Sequence, residues 1–311
     1  MDNISGRTSF LAKIALFIVA ILWGTSLTVV KSAADVFKPN FLLGIRFTLA
    51  GIILAVVFHK KLFNAKRNEL IAGAVIGVFL FVAYSSQTLG VTFTPPGRSG
   101  FLSASYCVIV PFLYWITNKV KPDKFNVSAA VFCIVGIFFI AMAGESGSIF
   151  NSSWKAIYGD ALALLSGFLF ASHIVMVTRL GIGKDPFVLT IMQFLVAGIL
   201  SWVTTFVFEN NAGMQITLRP MLEVLYLSIM CTAVALLLQN LGQKYTDPSS
   251  AAIILGCESI FGVAFPVALG IESLTVKSVI GFILIFVAII ISETKLSFIF
   301  KKKDKKIESK I

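Results

Sequence analysis

Charge is scarce in this chain. Only 13% of its 311 residues are charged, just 15 of them acidic, and there are two histidines and four cysteines. Cys107, Cys133, Cys231 and Cys257 each fall inside an apolar run with no ligand spacing, so they carry no redox or metal signal. His173 is the single histidine within an apolar span, which argues against a metal centre. No nucleotide-binding loop or catalytic triad is present, so an ATP-driven pump would need a partner chain, and no cofactor is expected. A membrane enzyme would need His, Asp or Glu converging near one face. Apart from Asp35, Glu145, Glu209 and Glu272, the connectors on that side offer almost none.

What the chain has instead is long apolar runs. Apolar residues make up 57% of it and the mean hydropathy is +0.92. The expected spans are Leu11–Val30, Phe41–Phe58, Leu70–Phe93, Gly97–Thr117, Asn126–Ala143, Ile157–Thr178, Phe187–Phe208, Met221–Asn240, Ser249–Gly270 and Val276–Ile291. Runs of about 18 to 22 residues at about 1.5 Å per residue suffice for roughly 30 Å of hydrocarbon. One such run would suit a buried core helix, but a soluble fold cannot hide ten. The pattern predicts an all-α polytopic membrane protein with ten transmembrane helices. The first run is too long for a cleavable signal and no cleavage pattern follows it, so it is expected to remain as a helix.

Basic residues set an expected orientation. With the N-terminus inside, nineteen Lys and Arg fall on the inner side and six on the outer, while Arg46 lies within a span. That bias predicts a plasma-membrane protein with both termini cytoplasmic. The tail around Lys301-Lys302-Lys303 then faces anionic lipid and not nucleic acid.

The chain repeats itself. Gln87-Thr88-Leu89-Gly90, continuing to Thr94-Pro95-Pro96, reappears as Gln239-Asn240-Leu241-Gly242, continuing to Thr246-Asp247-Pro248, at a constant offset of 152. Each copy lies where the third span of a half turns into the fourth. Five spans per half is an odd number, so the halves are expected to face opposite ways as two inverted five-helix repeats. Residues 1–144 form the first repeat, 145–155 an outer linker, 156–295 the second repeat and 296–311 a basic cytoplasmic tail. Inverted halves that exchange conformations move an opening from one membrane face to the other.

In its ordered set of motifs the chain resembles the drug/metabolite transporter superfamily, in its EamA-like ten-helix branch. The likeness runs through Leu22-Trp23-Gly24-Thr25-Ser26, Lys31, Arg46-Phe47-Thr48-Leu49-Ala50, Ser99-Gly100-Phe101-Leu102 and Val108-Ile109-Val110-Pro111. It continues through Gln243-Lys244-Tyr245-Thr246-Asp247-Pro248, Ala251-Ala252, Glu258, Gly270-Ile271-Glu272 and Gly281. The resemblance implies a plasma-membrane carrier for small organic solutes, commonly an exporter of amino acids or related metabolites, with a central cavity lined by both halves. Such sequences usually carry Glu-Pro where this chain has Glu258-Ser259, and the missing proline implies a straighter ninth helix. They also usually carry a Glu near the end of the fourth span, where this chain reads Thr117-Asn118-Lys119.

A few polar residues stand inside the spans. Glu258 is about 15 Å along the ninth helix from Pro248, near mid-bilayer, where a carboxylate costs several kcal/mol unless paired, hydrated or protonated. It is either a proton- or amine-binding group of the cavity or a structural carboxylate. Arg46, roughly 10 Å deep, either binds a substrate carboxylate, pairs with Glu258 or snorkels outward. Arg98 at the start of the fourth helix is a gate candidate. The repeat-related Gln87 and Gln239 bond either a solute or the helix ends, and Asn240 behaves like Gln239. His173 is a proton relay or a hydrogen-bonded core residue, and Gln193 is a weaker cavity candidate. Trp23, Tyr84 and Tyr106 are candidate cavity walls, where a ring can stack on a ligand or attract an amine. Pro96 and Pro248 stiffen the turns into their helices, and Asp160 and Asp185 are expected as helix caps.

These features predict a secondary transporter that moves a small polar organic solute by alternating access, as a monomer or weak dimer in lipid, with protons as a candidate coupling ion. A facilitative channel or uniporter is the alternative, and a membrane-embedded enzyme a more distant one.

Overall fold

The computed structural model describes residues 6–141, 154–212, 214, 217–271 and 273–294, and all the regular structure among them is helical. The expected linker at 145–155, apart from its last two residues, and the basic tail lie outside the described residues, as do Glu145 and Glu272. In chain order the helices are α1 (Gly6–Ala33), α2 (Pro39–Val57), α3 (His59–Phe63), α4 (Arg67–Phe93), α5 (Pro96–Ser103), α6 (Tyr106–Asn118) and α7 (Lys124–Ala141). They continue as α8 (Trp154–Leu180), α9 (Pro186–Phe208), α10 (Leu218–Ser228), a π-helical turn (Ile229–Val234), α11 (Ala235–Lys244), α12 (Pro248–Gly256), α13 (Glu258–Ala268) and α14 (Val276–Thr294). Among the described residues, eight helical stretches are long and apolar enough to cross a membrane, and Lys124–Gly136 and Val276–Ala288 are shorter apolar helices.

Local chemistry explains the boundaries. Proline stands in the first turn of α2, α5, α9 and α12, where its missing N–H costs no helical bond. Asp185 and Asp247 cap α9 and α12 by accepting from the Phe187 and Ser250 amides, so Asp185 takes the capping role expected of it. Asp160 does not. It lies well inside α8, away from the orphan amides, and bonds a neighbouring helix instead. Apolar side chains such as Ile52, Val56, Ile199, Phe206 and Val207 remain exposed on the outside of the bundle, where lipid would cover them.

Packing follows a paired plan. The contact of α1 with α13 is matched by that of α8 with α6, and the contact of α1 with α11 by that of α8 with α4. Corresponding helices also meet each other directly, α2 against α9 and α7 against α14.

Two expected spans are interrupted midway. Between α5 and α6 the chain tightens, with the Ser105 amide donating to Leu102 O at 3.3 Å and Cys107 to Ala104 O at 3.0 Å. Between α12 and α13, Cys257 donates to Ile254 O at 3.2 Å and Ile260 to Cys257 O at 3.0 Å. The expectation of a straight ninth helix therefore gives way to a break at Cys257. Bonds spanning three residues instead of four tighten the turn without any proline. The eighth span also deviates, through the π-helical turn at Ile229–Val234.

Close approach depends on missing side chains. A Cβ on Gly24 would run into the Phe261 side chain and approach the Glu258 carbonyl oxygen at 2.9 Å, so α1 and α13 meet there backbone to backbone. A Cβ on Gly256 would meet Cys107 at an ordinary 3.5 Å. Gly24→Val is expected to destabilise the protein by about 1–3 kcal/mol, seen as a lower thermal midpoint in detergent. Gly256→Ala should leave that midpoint nearly unchanged.

Candidate functional site

A small cavity lies at the centre of the bundle, between α1, α4, α6, α8, α11 and α13. Its walls pair up between the halves. Pro39 and Pro186 open α2 and α9 and set an offset of 147 for the first helices of each half, from 39 to 186. At that offset Trp23 corresponds to Phe170 and Leu27 to Ile174, and all four line the cavity. At the later offset of 152, Gln87 corresponds to Gln239 and Tyr106 to Glu258, and these four line it too. Ser26 and Tyr84 complete the wall. Every lining residue is between 1% and 9% exposed, so the wall of the chamber is buried in the bundle.

The mid-span breaks bring the chemistry here. Tyr106 is the first residue of α6 and Glu258 the first of α13, each directly beyond a tightened turn. The Tyr106 hydroxyl lies in the electrostatic neighbourhood of the Glu258 carboxyl, yet it makes no hydrogen bond of normal geometry. Tyr84, Phe170 and Tyr106 form a continuous aromatic wall, with centroids 5.1 Å apart for Tyr84–Phe170 and 6.4 Å for Tyr106–Phe170. Both contacts are edge-to-face, the arrangement that ring quadrupoles favour.

The π-helical turn anchors two of the expected residues. Trp23 Nε1 donates to Cys231 O at 3.0 Å, which commits its single N–H and holds the indole against the cavity. Arg46 donates to Thr232 Oγ1 from Nε at 3.3 Å and from Nη2 at 3.1 Å. Its guanidinium carbon stands 5.3 Å from the Tyr84 ring centroid. At 1% exposure Arg46 does not snorkel. It lies on α2, which packs against α9 and the π-helical turn. It is neither among the lining residues nor ion-paired with Glu258. The two charges are thus not brought together in one chamber.

His173 and Gln193 sit one layer behind the wall. His173 Nε2 lies 3.1 Å from Gln193 Oε1, a bond whose direction depends on the tautomer, and His173 Nδ1 has no hydrogen-bond partner. The offset of 147 relates His173 to Ser26 and Gln193 to Arg46, so corresponding positions carry different chemistry in the two halves. Asn240 Nδ2 donates to Thr190 Oγ1 at 2.7 Å, a structural bond, whereas its neighbour Gln239 lines the cavity with Oε1 unpartnered.

At the α4–α5 turn, Arg98 grips Asp160 of α8 with two bonds, Nε to Oδ1 at 3.0 Å and Nη2 to Oδ2 at 2.5 Å. Thr94 Oγ1 donates to the same carboxylate at 3.2 Å. Lys31 of α1 caps the end of α4 by donating to Val91 O and Thr92 O, both at 2.8 Å, where a cation meets the negative end of the helix. Pro96 starts α5 and Pro248 starts α12, as their positions implied.

Several site residues escaped the sequence reading. Leu27, Phe170 and Ile174 look like ordinary apolar residues, and Ser26 and Thr232 like ordinary helix hydroxyls. The signal that singles out Phe170 and Ile174 is the second offset, set by the proline pair. Arg98→Ala combined with Asp160→Asn in a double-mutant cycle should give a coupling of about 1–3 kcal/mol, read from unfolding of the purified protein.

Comparison with known proteins agrees with this architecture. The model of the EamA-like transporter family matches twice, over residues 10–142 and 157–294. An uncharacterized transporter of Archaeoglobus fulgidus is 32% identical over 280 residues, covering 90% of this chain and 85% of that protein. Protein PagO of Salmonella typhimurium is 22% identical, covering 78% of this chain and 79% of its own. The uncharacterized inner membrane transporter YedA of Escherichia coli is also 22% identical, covering 84% and 83%. A solved crystal structure superposes with a TM-score of 0.72 over 90% of this chain and 96% of the other, at 16% identity, a likeness of fold alone. Two family matches, one on each half of a bundle that closes around a shared chamber, make this chain a membrane transporter belonging to the EamA-like transporter family.

Proposed function

We propose that the protein is a secondary transporter of the plasma membrane that carries a small polar organic solute, of the amino-acid or related metabolite kind, by alternating access. In this reading ten helices cross the bilayer as two inverted five-helix repeats, residues 1–144 and 156–295, with both termini cytoplasmic. The solute chamber is the central cavity, and export is its working direction. Protons couple through Glu258.

The single observation that carries the proposal is the buried cavity walled by corresponding residues of the two halves. A solute enters such a chamber only if one end opens, and related halves can exchange conformations to open the other end. The interrupted α5–α6 and α12–α13 segments and the π-helical turn offer hinges for that exchange, because each departs from regular α-helix beside the cavity. The lysines and arginines gathered on one side support the orientation. The groups around Glu258 that can titrate are Tyr106 of α6, Tyr84 of α4 and Cys257 beside it, with no basic side chain among its named neighbours.

Side-specific labelling tests the inverted halves. The four native cysteines are buried, and Pro95 and Lys244 are exposed, so Pro95→Cys and Lys244→Cys introduce reporters without disturbing the interior. In intact cells an impermeant maleimide should modify residue 95 and spare residue 244 until the membrane is opened. Labelling of both from one face would remove the inverted arrangement.

Coupling is tested in proteoliposomes under an imposed pH gradient, with a radiolabelled mixture of amino acids and amines. Glu258→Gln should abolish gradient-driven accumulation while exchange between preloaded and external solute persists at saturating solute. Undiminished accumulation would exclude Glu258 as the proton site, and flux without saturation or exchange would favour a channel.

A further inference from the structure

We infer that the central chamber selects an organic cation, an ammonium on an apolar or aromatic body, with Glu258 as its ionic anchor. The inference rests on the reading of this cavity as the solute site and, within the metabolites proposed above, selects amines over amino acids. It departs from a zwitterion specificity, which would need Arg46 and Glu258 to face one ligand.

The lining carries one negative group and no positive one. Glu258 is 4% exposed and takes part in no ion pair among the described residues. Arg46 lies against the Tyr84 ring, outside the lining, and donates to Thr232 from Nε and Nη2. A carboxylate taken out of water is costly unless a cation meets it, so the missing counter-charge is best supplied by the ligand. An ammonium has three donors and no acceptor. The chamber offers acceptors to match: the Glu258 oxygens, the unpartnered Gln239 Oε1 at 1% exposure, and the oxygen of the Tyr106 hydroxyl, 2% exposed beside Glu258.

The donors left to a carboxylate ligand are all neutral, the Tyr84 and Tyr106 hydroxyls and the Gln87 and Gln239 amides, with no cation among them. The Trp23 N–H is committed to Cys231 O and the Ser26 hydroxyl to Trp23 O. Four aromatic side chains, Trp23, Tyr84, Tyr106 and Phe170, make the remaining wall suited to a cation or to the rings of its apolar body. Carboxylate, orphan acceptors and aromatic wall all point to the same ligand charge.

The test uses the full-length protein in nanodiscs and four ligands that share one phenyl body: phenethylammonium, phenylalanine, 3-phenylpropanoate and the neutral 2-phenylethanol. Isothermal titration should show phenethylammonium binding at least tenfold more tightly than each of the others. Glu258→Gln should weaken that binding at least tenfold while the phenylethanol response is unchanged, and Glu258→Asp should retain part of it. The ligand ranking on the unmodified protein decides the matter even if a variant fails to fold. Equal or tighter binding of phenylalanine or phenylethanol, or no saturable binding of phenethylammonium, would overturn the inference. Tightest binding of phenylpropanoate would overturn it too, and would move the anchor to Arg46. None of these results touches alternating access, which the labelling of residues 95 and 244 tests separately.

Discussion

Hydrocarbon offers no hydrogen bonds, and that constraint organises the protein. Every backbone N–H and C=O within the bilayer has to be satisfied by the chain itself, which makes long helices the default for apolar segments. Chemistry is then confined to places where helices depart from regularity or turn polar side chains inward. In this bundle those departures converge. Two tightened turns present Tyr106 and Glu258, and the π-helical turn presents the Cys231 carbonyl to Trp23 and the Thr232 hydroxyl to Arg46. Each irregularity sits beside the chamber.

Correspondence between the halves explains how one architecture carries asymmetric chemistry. Tyr106 and Glu258 occupy matched positions, as do Ser26 and His173, and Arg46 and Gln193. The backbone plan repeats while the side chains do not, so the chamber has two related frames but a single carboxylate. The α4–α5 turn differs likewise from its counterpart. Arg98 and Asp160 tie it to α8, whereas the matched residues on the other side are Ser250 and Lys13. Serine and lysine cannot reproduce the arginine–aspartate pairing, a difference the repeat alone would not produce.

Much of the fold was legible because apolar runs and prolines report physical demands directly. The boundaries of α2, α5, α9 and α12 follow from Pro39, Pro96, Pro186 and Pro248, since proline fits the first turn of a helix, where no N–H is needed. The breaks at Ala104–Ser105 and Cys257 were not legible, since small residues are compatible with both a straight helix and a tightened one. Cap and ion pair were equally confusable for Asp160. A carboxylate near a helix start reads as a cap until the neighbour carrying Arg98 is in place.

Sequence alone determined that the chain is an all-helical membrane bundle with a repeated half, because hydrophobic length and a recurring motif are properties of order along the chain. It also picked out Glu258, Tyr106, Tyr84, Trp23, Gln87 and Gln239, since polar and aromatic groups deep in apolar runs are conspicuous. Only the tertiary structure decided which of the conspicuous residues share a chamber. Arg46 and His173 are as polar and as deep as Glu258, yet Thr232 and Gln193 hold them in the layer behind. Side-chain direction depends on the rotation of each helix against its neighbours, and packing sets that rotation, not spacing along the chain.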